Sequence, residues 1–247
     1  MINELEIWSV LLANPTFGNE IQNLLDIGEL IWLRGWAEAN AGNVSIRLPE
    51  SITESLIQLL HCNVKNYVWF LVSSTGSRYR EFNKLGLQNF NLIGLDKADF
   101  KSGISNKQII FPEYRKPTSE WVTHLSVHEW LYQNRDNDTI VLHAHPTDWI
   151  TISNCRKYKD SKPELIKEIR ESLPELNIYF PQGITLLPFA VPGSDELAEL
   201  TVKGLNQSKI VIWEKHGILI TAKDVNCAFD YLEIVSKAAS VYLAHGN

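Results

Sequence analysis

The sequence predicts an α/β fold in which helices cover a mixed sheet. Strand patterns dominate residues 42 to 111, whereas helical patterns flank this region and follow it. This arrangement differs from the regular alternation of strands and helices in nucleotide-binding and barrel folds. The sequence shows no internal repeat, no low-complexity tract and no linker rich in Pro, Gly or Ser. These absences favour a single domain over residues 1–247, which includes an N-terminal helical segment over about residues 1–37.

The predicted elements follow the hydrophobic periodicity along the chain. Apolar residues recur at helical spacing from Asn19 to Trp36, and a polar turn then leads into an alternating, half-buried strand over 44–48. A helix over 119–133 begins at Ser119, a residue type that caps helices. Further strands are predicted at 67–72, 91–95, 107–111, 139–143, 177–180, 209–213 and 217–220, and further helices at 163–172, 194–206 and 224–244.

Composition and charge exclude several classes of protein. The 247 residues carry 23 Lys and Arg against 29 Asp and Glu, a net charge of -6 without any long basic run, which argues against nucleic-acid binding. The N-terminus is acidic and no signal-like apolar core follows it, so we expect a cytoplasmic protein. The most continuous apolar run, 67–72, is far shorter than the roughly 18 residues of a membrane span. Three scattered cysteines, Cys62, Cys155 and Cys227, are expected to be reduced core thiols.

Two histidines lie two residues apart at the end of a predicted strand, in Val141-Leu142-His143-Ala144-His145-Pro146. Alternate residues of a strand point to the same face, so both imidazoles would project together. Such a pair suits a divalent cation, and catalytic zinc sites use three protein ligands and an open position. His216, between the last two predicted strands, is the best-placed third ligand. Without a third ligand, the pair also fits ordinary polar histidines.

A second histidine pair lies on a predicted helix. His124 and His128 are spaced i and i+4, but Leu125 stands where the zinc-protease motif requires Glu. We therefore expect these two histidines to be packing or helix-surface residues.

Two short polar turns could surround a phosphate group. The segments Ser73-Ser74-Thr75-Gly76-Ser77 and Asn40-Ala41-Gly42-Asn43 offer backbone N–H groups, as anion nests do, but neither has the spacing and lysine of a P-loop. Each could also be an ordinary turn. Glu120, which follows Pro117-Thr118-Ser119, could be a functional acid or simply a solvated first-turn acid that the helix dipole favours.

Taken in order, these segments resemble the zinc-dependent class II aldolase and adducin family, and the likeness spans roughly residues 25 to 245. The segments that carry the resemblance are Trp32-Leu33-Arg34-Gly35-Trp36, Asn40-Ala41-Gly42-Asn43, the Ser-Thr-Gly turn, Pro117-Thr118-Ser119-Glu120, His143-Ala144-His145-Pro146-Thr147 and Lys215-His216-Gly217. Within the family, three segments are more similar to the rhamnulose-phosphate branch than to the fuculose-phosphate branch: Trp32 to Trp36, Phe180-Pro181-Gln182-Gly183 and Val191-Pro192-Gly193-Ser194-Asp195-Glu196.

The resemblance implies an α/β fold with a central, largely antiparallel sheet flanked by helices, assembled as a homotetramer with active sites between subunits. It implies one zinc ion per chain, held by His143, His145 and His216, with Glu120 as the catalytic acid/base. It also implies that Glu175 reaches a neighbouring subunit's site. The residues it implies for substrate phosphate are Asn40, Gly42, Asn43, Thr75, Gly76 and Ser119. Thr75 departs from the serine of the rhamnulose-phosphate branch, a change that keeps the hydroxyl and adds a methyl group.

The implied activity is the reversible cleavage of a ketose 1-phosphate. For the rhamnulose-phosphate branch, L-rhamnulose 1-phosphate gives dihydroxyacetone phosphate and L-lactaldehyde through a metal-stabilised enediolate. A fuculose-phosphate aldolase, a pentulose-phosphate 4-epimerase, a dehydratase or a decarboxylase could use the same histidines and phosphate pocket. A non-catalytic, adducin-like module is a further alternative, but it would have no reason to retain three metal-ligand candidates together with Glu120.

Overall fold

A computed structural model describes residues 4–60, 67–102, 108–154 and 161–245, and its strands form one eight-stranded sheet. The strands, in chain order, are β1 (Asn43–Arg47), β2 (Tyr67–Ser73), β3 (Phe90–Asp96), β4 (Gln108–Phe111), β5 (Ile140–Ala144), β6 (Thr185–Leu187), β7 (Ile210–Trp213) and β8 (Gly217–Ala222). Their order across the sheet is β4-β3-β2-β1-β5-β8-β7-β6. The β6–β7 pair is parallel and the other neighbouring pairs are antiparallel, which confirms the predicted fold class.

Helices cover both faces of the sheet. They are α1 (Glu4–Ala13), α2 (Pro15–Leu33), α3 (Glu50–Leu60), α4 (Phe82–Leu85), α5 (Lys97–Ser102), α6 (Trp121–Asn134), α7 (Thr147–Ser153), α8 (Lys162–Ser172), α9 (Pro174–Tyr179), α10 (Asp195–Leu205) and α11 (Val225–Ala244). One face packs on α5, α6 and α10, and the largest apolar core lies on the other face under α1, α2, α7, α8 and α11. No helix in the described ranges is long and apolar enough to cross a membrane.

Most predicted strands and helices are confirmed to within a few residues. The helix predicted over 19–36 begins at Pro15, behind the Asn14 cap, and ends at Leu33 because Gly35 takes a left-handed conformation with φ of 72°. The prediction placed α1 only within a general N-terminal helical segment, and it missed α3, α4, α5, α7 and β6. The described residues do not include residue 107 of one predicted strand, nor Cys62 and Cys155. The remaining cysteine, Cys227, is a free, half-buried thiol.

The strand predicted over 177–180 is wrong, because this segment belongs to α9. Pro174 stands at the start of the helix, where its missing N–H costs nothing. Leu176 and Phe180 are buried, and the three residues between them are exposed. Burial at positions i and i+4 is typical of a helix. The residue types had favoured a strand instead, because Ile178, Tyr179 and Phe180 are common in β-strands.

The first strand is buried on both faces rather than half-buried as predicted. Val44 and Ile46 join the main apolar core, as expected for alternate residues. The opposite face, however, lies under α6, where Asn43 and Ser45 are 7% and 0% exposed. The polar face of β1 is therefore an internal surface, and the contacts of Asn43 and Ser45 bear directly on the site described next.

Candidate active site

Three histidines meet where the ends of β5, β7 and β8 come together. His143 lies near the end of β5, His145 follows it by two residues, and His216 lies in the tight turn from β7 to β8. The antiparallel pairing of His143 with Leu219 places that turn beside the end of β5. Gly217 permits this approach, because a Cβ there would lie 2.4 Å from the Ala144 carbonyl oxygen and 3.0 Å from both His143 and His145.

The three imidazole rings form a compact triangle. The ring centroids of His143 lie 4.8 Å from those of His145 and His216, and the latter two are 5.1 Å apart. One nitrogen from each ring lies within 4.8 Å of the other two. Trp213 supports the triangle, because its ring stacks on His216 at a centroid distance of 4.9 Å and lies 4.5 Å from the His143 ring.

The hydrogen bonds around this triangle leave lone pairs facing inward. His143 Nδ1 donates to the Ile218 carbonyl oxygen at 2.9 Å, and His145 Nδ1 donates to Glu38 Oε1 at 3.0 Å. With those protons placed, each Nε2 carries a lone pair, and the two Nε2 atoms lie 3.0 Å apart. His216 has a buried Nδ1 without a hydrogen-bond partner, and its Nε2 lies 3.3 Å from Glu120 Oε1. A cation among these nitrogens would relieve the close approach of the His143 and His145 lone pairs, so the three imidazoles fit a divalent metal such as zinc.

Burial keeps two of these rings neutral, as metal ligands must be. Burial, followed by the nearby His145, lowers the pKa of His143 well below its usual 6.5. Burial, followed by the neighbouring His143, lowers the pKa of His216 to about 3. Both rings therefore present lone pairs at neutral pH.

Glu120 places its carboxylate against two of the histidines. Its Oε2 lies 3.5 Å from His143 Nε2, and its Oε1 lies 3.3 Å from His216 Nε2. The side chain is only 5% exposed, so it is no solvated first-turn acid. Glu120 is the N-cap residue of α6 but makes no side-chain capping bond, and Ser119 is not the cap that the sequence predicted. The carboxylate instead accepts a 2.7 Å hydrogen bond from Asn43 Nδ2.

A cavity of about 160 Å³ brings Glu120 and the three histidines together with the two polar turns. Its lining includes all the residues that the sequence assigned to phosphate: Asn40, Gly42, Asn43, Thr75, Gly76 and Ser119. Gly42 and Gly76 have φ values of 75° and 80°, the left-handed conformation that anion-binding loops use. The structure therefore collects these residues in one place, and their roles toward a ligand remain proposals.

Several residues at this site were not singled out from the sequence. Ala41, Ser74 and Thr118 also line the cavity. Tyr79 donates from its hydroxyl to the His143 carbonyl oxygen at 3.1 Å, and its ring lies where a Cβ on Gly42 would clash. Ala41, Ser74 and Thr118 belong to motifs already noted, whereas Tyr79 gave no signal because its contact depends on the folded loop.

Glu175 is the one predicted site residue that lies outside this cavity. It is exposed in the first turn of α9, and on the same short helix Ile178 and Tyr179 are 73% and 54% exposed. Within one chain, the structure does not bring Glu175 together with the histidines and Glu120.

The comparisons with known proteins agree with this arrangement. The family model described as "Class II Aldolase and Adducin N-terminal domain" matches residues 22–243. The chain is 28% identical to a rhamnulose-1-phosphate aldolase of Bacteroides thetaiotaomicron, covering 97% of this chain and 90% of that protein. It is 26% identical to a rhamnulose-1-phosphate aldolase of Listeria welshimeri, with coverages of 90% and 82%.

A solved structure shows the same fold. The sugar-phosphate aldolase from Thermotoga maritima superposes with a TM-score of 0.75 at 30% identity, covering 92% of this chain and 94% of that one. The family match extends over most of the chain and includes all three histidines and Glu120. The chain therefore belongs to the class II aldolase and adducin family and, as a class II aldolase, is an aldehyde-lyase.

Proposed function

We propose that this protein is a zinc-dependent aldolase that cleaves L-rhamnulose 1-phosphate reversibly to dihydroxyacetone phosphate and L-lactaldehyde. The observation that carries the proposal is the shared cavity, in which three clustered imidazoles, a buried carboxylate and two phosphate-type turns meet. The choice of sugar draws on the curated relatives named rhamnulose-1-phosphate aldolase. Zinc, held by His143, His145 and His216, would supply the positive charge that stabilises the enediolate of the cleaved ketose.

Glu120 is the group that moves the proton at C3 of the dihydroxyacetone phosphate unit. Its carboxylate lies beside the metal-ligand nitrogens and is buried, so a substrate proton brought there meets a base shielded from water. A positioned general base contributes about 100-fold to 10,000-fold in rate.

The two polar turns hold the phosphate away from the bond that breaks. The Asn43 amide donates one N–H to Glu120 and retains a second hydrogen for the ligand. The Thr75 hydroxyl donates to the Pro117 carbonyl at 2.6 Å, so it must rotate to reach a phosphate oxygen. Binding energy at the phosphate then fixes the orientation of the reacting carbons.

We also propose that Glu175 acts in the active site of a neighbouring subunit in a homotetramer. Glu175 is exposed, does not line the cavity of its own chain, and lies on a short helix that exposes Ile178 and Tyr179. An exposed apolar pair of this kind suits a contact between subunits.

The test is an assay of the purified protein for release of dihydroxyacetone phosphate from L-rhamnulose 1-phosphate and from L-fuculose 1-phosphate, and for 4-epimerisation of L-ribulose 5-phosphate, with bound metal measured on the same samples. We expect dihydroxyacetone phosphate to be released fastest from L-rhamnulose 1-phosphate, with one zinc per chain. Release from L-fuculose 1-phosphate alone would show that fuculose phosphate, and not rhamnulose phosphate, is the substrate. No release from either ketose 1-phosphate, with or without epimerisation of the pentulose phosphate, would overturn the proposal.

Three variants separate the roles within the site. His143→Ala should lose zinc and turnover together, since it removes a ligand. Glu120→Gln should keep zinc while exchange of the C3 proton of dihydroxyacetone phosphate falls by about 100-fold or more. Glu196→Gln is the matched control, because Glu196 is exposed on α10 and lies outside the cavity. Full exchange in Glu120→Gln would contradict the assignment of the base.

A further inference from the structure

A row of polar side chains leads away from Glu120 into the protein interior. Asn43 and Ser45 alternate on the face of β1 that lies under α6, and His124 and His128 are one helical turn apart on α6. Ser45, His124 and His128 are fully buried, and Asn43 and Glu120 are less than a tenth exposed. The sequence predicted His124 and His128 to be packing or surface residues, and the structure shows that they are hydrogen-bonded groups of the interior.

These side chains form an unbroken chain of hydrogen bonds. Asn43 bridges Glu120 Oε2 and His124 Nε2, at 2.7 Å through its Nδ2 and at 2.5 Å through its Oδ1. Ser45 Oγ bridges His124 Nδ1 at 2.7 Å and His128 Nε2 at 2.8 Å. Three of the four links have normal hydrogen-bond lengths, and the link between Asn43 and His124 is shorter than usual.

Only one arrangement of protons satisfies every link when the Glu120 carboxylate is ionised. The carboxylate can only accept, so the Asn43 amide nitrogen must face it and the Asn43 oxygen must face His124. His124 then carries its proton on Nε2 and accepts at Nδ1 from the single hydroxyl hydrogen of Ser45. His128 completes the chain by donating from Nε2 to Ser45 Oγ. All four donors therefore point toward Glu120.

We propose that Ser45, His124 and His128 are positioning residues that hold the Asn43 amide in the one orientation able to donate to the Glu120 carboxylate. An amide side chain can turn by half a rotation at little steric cost, and the wrong orientation would set the Asn43 oxygen against the carboxylate. The His124 tautomer prevents that rotation, and Ser45 and His128 fix the tautomer. The proposal rests on the proposed function of Glu120 as the proton carrier.

Burial supports this arrangement of protons because it keeps the rings of His124 and His128 neutral. Burial lowers the pKa of His124 to about 4 and that of His128 well below its usual 6.5. A neutral imidazole has one donor nitrogen and one acceptor nitrogen. His124 needs both, because it donates to Asn43 Oδ1 and accepts from Ser45 Oγ. Stability alone gives no reason for this polar row, because apolar side chains often fill such sites with equal or greater stability.

The first test compares Ser45→Ala with Ser236→Ala. Ser236 is a matched control, because it is also a buried serine, 3% exposed, and its hydroxyl has no hydrogen-bond partner. In Ser45→Ala, kcat for exchange of the C3 proton of dihydroxyacetone phosphate should fall by about 10-fold to 100-fold, as for supporting residues around other sites. Zinc content should stay unchanged, since the three ligands are intact. KM should rise by less than kcat falls, because Asn43 is the only residue of the phosphate turns that would change its orientation. Ser236→Ala should keep the wild-type kcat.

The second test reads the tautomer directly, without activity. Nitrogen NMR of histidine-labelled, metal-free protein should show His124 protonated on Nε2 and unprotonated on Nδ1. Ser45→Ala should give a mixture of the two neutral tautomers. A single unchanged tautomer, or a wild-type kcat in folded Ser45→Ala, would overturn the proposal.

A pair of variants at His128 keeps the proposal testable if Ser45→Ala fails to fold. His128→Gln retains an N–H donor for Ser45 Oγ, whereas His128→Leu removes it, so the Gln variant should lose much less kcat. Equal losses would count against the positioning role. If Glu120→Gln exchanges at the wild-type rate, the proposed function fails, and the NMR result still decides whether the chain of hydrogen bonds fixes the His124 tautomer.

Discussion

Replacing Gly217 by alanine should separate the geometry of the metal ligands from the general stability of the fold. The added Cβ would lie 2.4 Å from the Ala144 carbonyl oxygen, and 3.0 Å from His143 Cε1 and His145 Cδ2. Because the first contact is with backbone, side-chain rotation cannot relieve it. The turn that carries His216 must therefore move away from the end of β5.

The expected magnitude follows from that displacement. Overpacking of this kind costs about 1–3 kcal/mol of the free energy of unfolding. The same movement shifts His216 relative to His143 and His145, so zinc affinity should fall by about 10-fold to 100-fold, the range seen when the supports of metal ligands are removed.

Gly18→Ala is the matched control for this prediction. Its Cβ would also meet a backbone carbonyl, that of Leu12 at 2.7 Å, in the helical hairpin of α1 and α2. The clash resembles that at Gly217, but it lies outside the cavity of the three histidines. Gly18→Ala should therefore lower the free energy of unfolding while leaving zinc affinity at the wild-type value.

Two measurements on the same proteins decide the outcome. Competition with a chromogenic chelator gives the zinc dissociation constant, and urea unfolding of the metal-free protein gives the free energy. Wild-type zinc affinity in a destabilised Gly217→Ala variant would refute the reasoning, since it would show that the histidines do not depend on the close approach at Gly217.

Three further predictions concern pH, metal and assembly. The folded pKa of His124, about 4, lies below its unfolded value of about 6.5, so the unfolded state binds more protons between these values. His124 alone should therefore contribute up to about 3 kcal/mol to the fall in the free energy of unfolding of metal-free protein as pH drops from 6.5 to 4, and the slope measured by urea titration should be shallower in His124→Phe. Removal of zinc should lower the free energy of unfolding by about 4 kcal/mol, relative to protein in free zinc at 1,000 times the dissociation constant. Calorimetric scans with and without chelator that show the same unfolding temperature would contradict metal binding at the three histidines. Glu175→Gln should impair cleavage of the full sugar phosphate much more than proton exchange on dihydroxyacetone phosphate, and hybrids refolded with Glu120→Gln should regain activity; equal damage to both reactions, or no recovery in verified hybrids, would count against a role across subunits.

The metal-ligand candidates could be predicted because their signal is local. Two histidines at alternate positions near the end of an apolar strand must share a face, and the structure places His143 and His145 within one cluster. His216 required a further assumption, that the turn between the last two strands returns to the end of β5. The pairing of β5 with β8 supplies that return, and single-sequence periodicity carries no information about strand order.

The row of polar groups behind Glu120 could not be predicted, because alternation alone does not say what covers a strand face. The pattern of β1 looked like a strand with one face in water, whereas α6 covers that face. A complementary signal was present: Asn43 and Ser45 at strand spacing, and His124 and His128 at helical spacing. Neither pair of residues indicates by itself that it contacts the other pair, because that contact depends on β1 lying beneath α6 in the folded protein.

The site therefore has two supports, which adjoin along the pairing of β1 with β5 and where the Glu120 carboxylate contacts His143 and His216. The β5 strand and the β7–β8 turn hold the three histidines, whereas β1 and α6 hold Glu120, and Asn43 pairs with His143 where the two supports adjoin. If they act independently, Ser45→Ala should slow proton exchange without loosening zinc, and Gly217→Ala should loosen zinc while leaving the His124 tautomer fixed. The double variant should then show the sum of the two free-energy changes within about 0.5 kcal/mol, as separated sites do. A larger departure would mean that strain at the histidines reaches Glu120, through its contacts with His143 and His216 or through the pairing of β1 with β5. The two supports would then have to be treated as one unit.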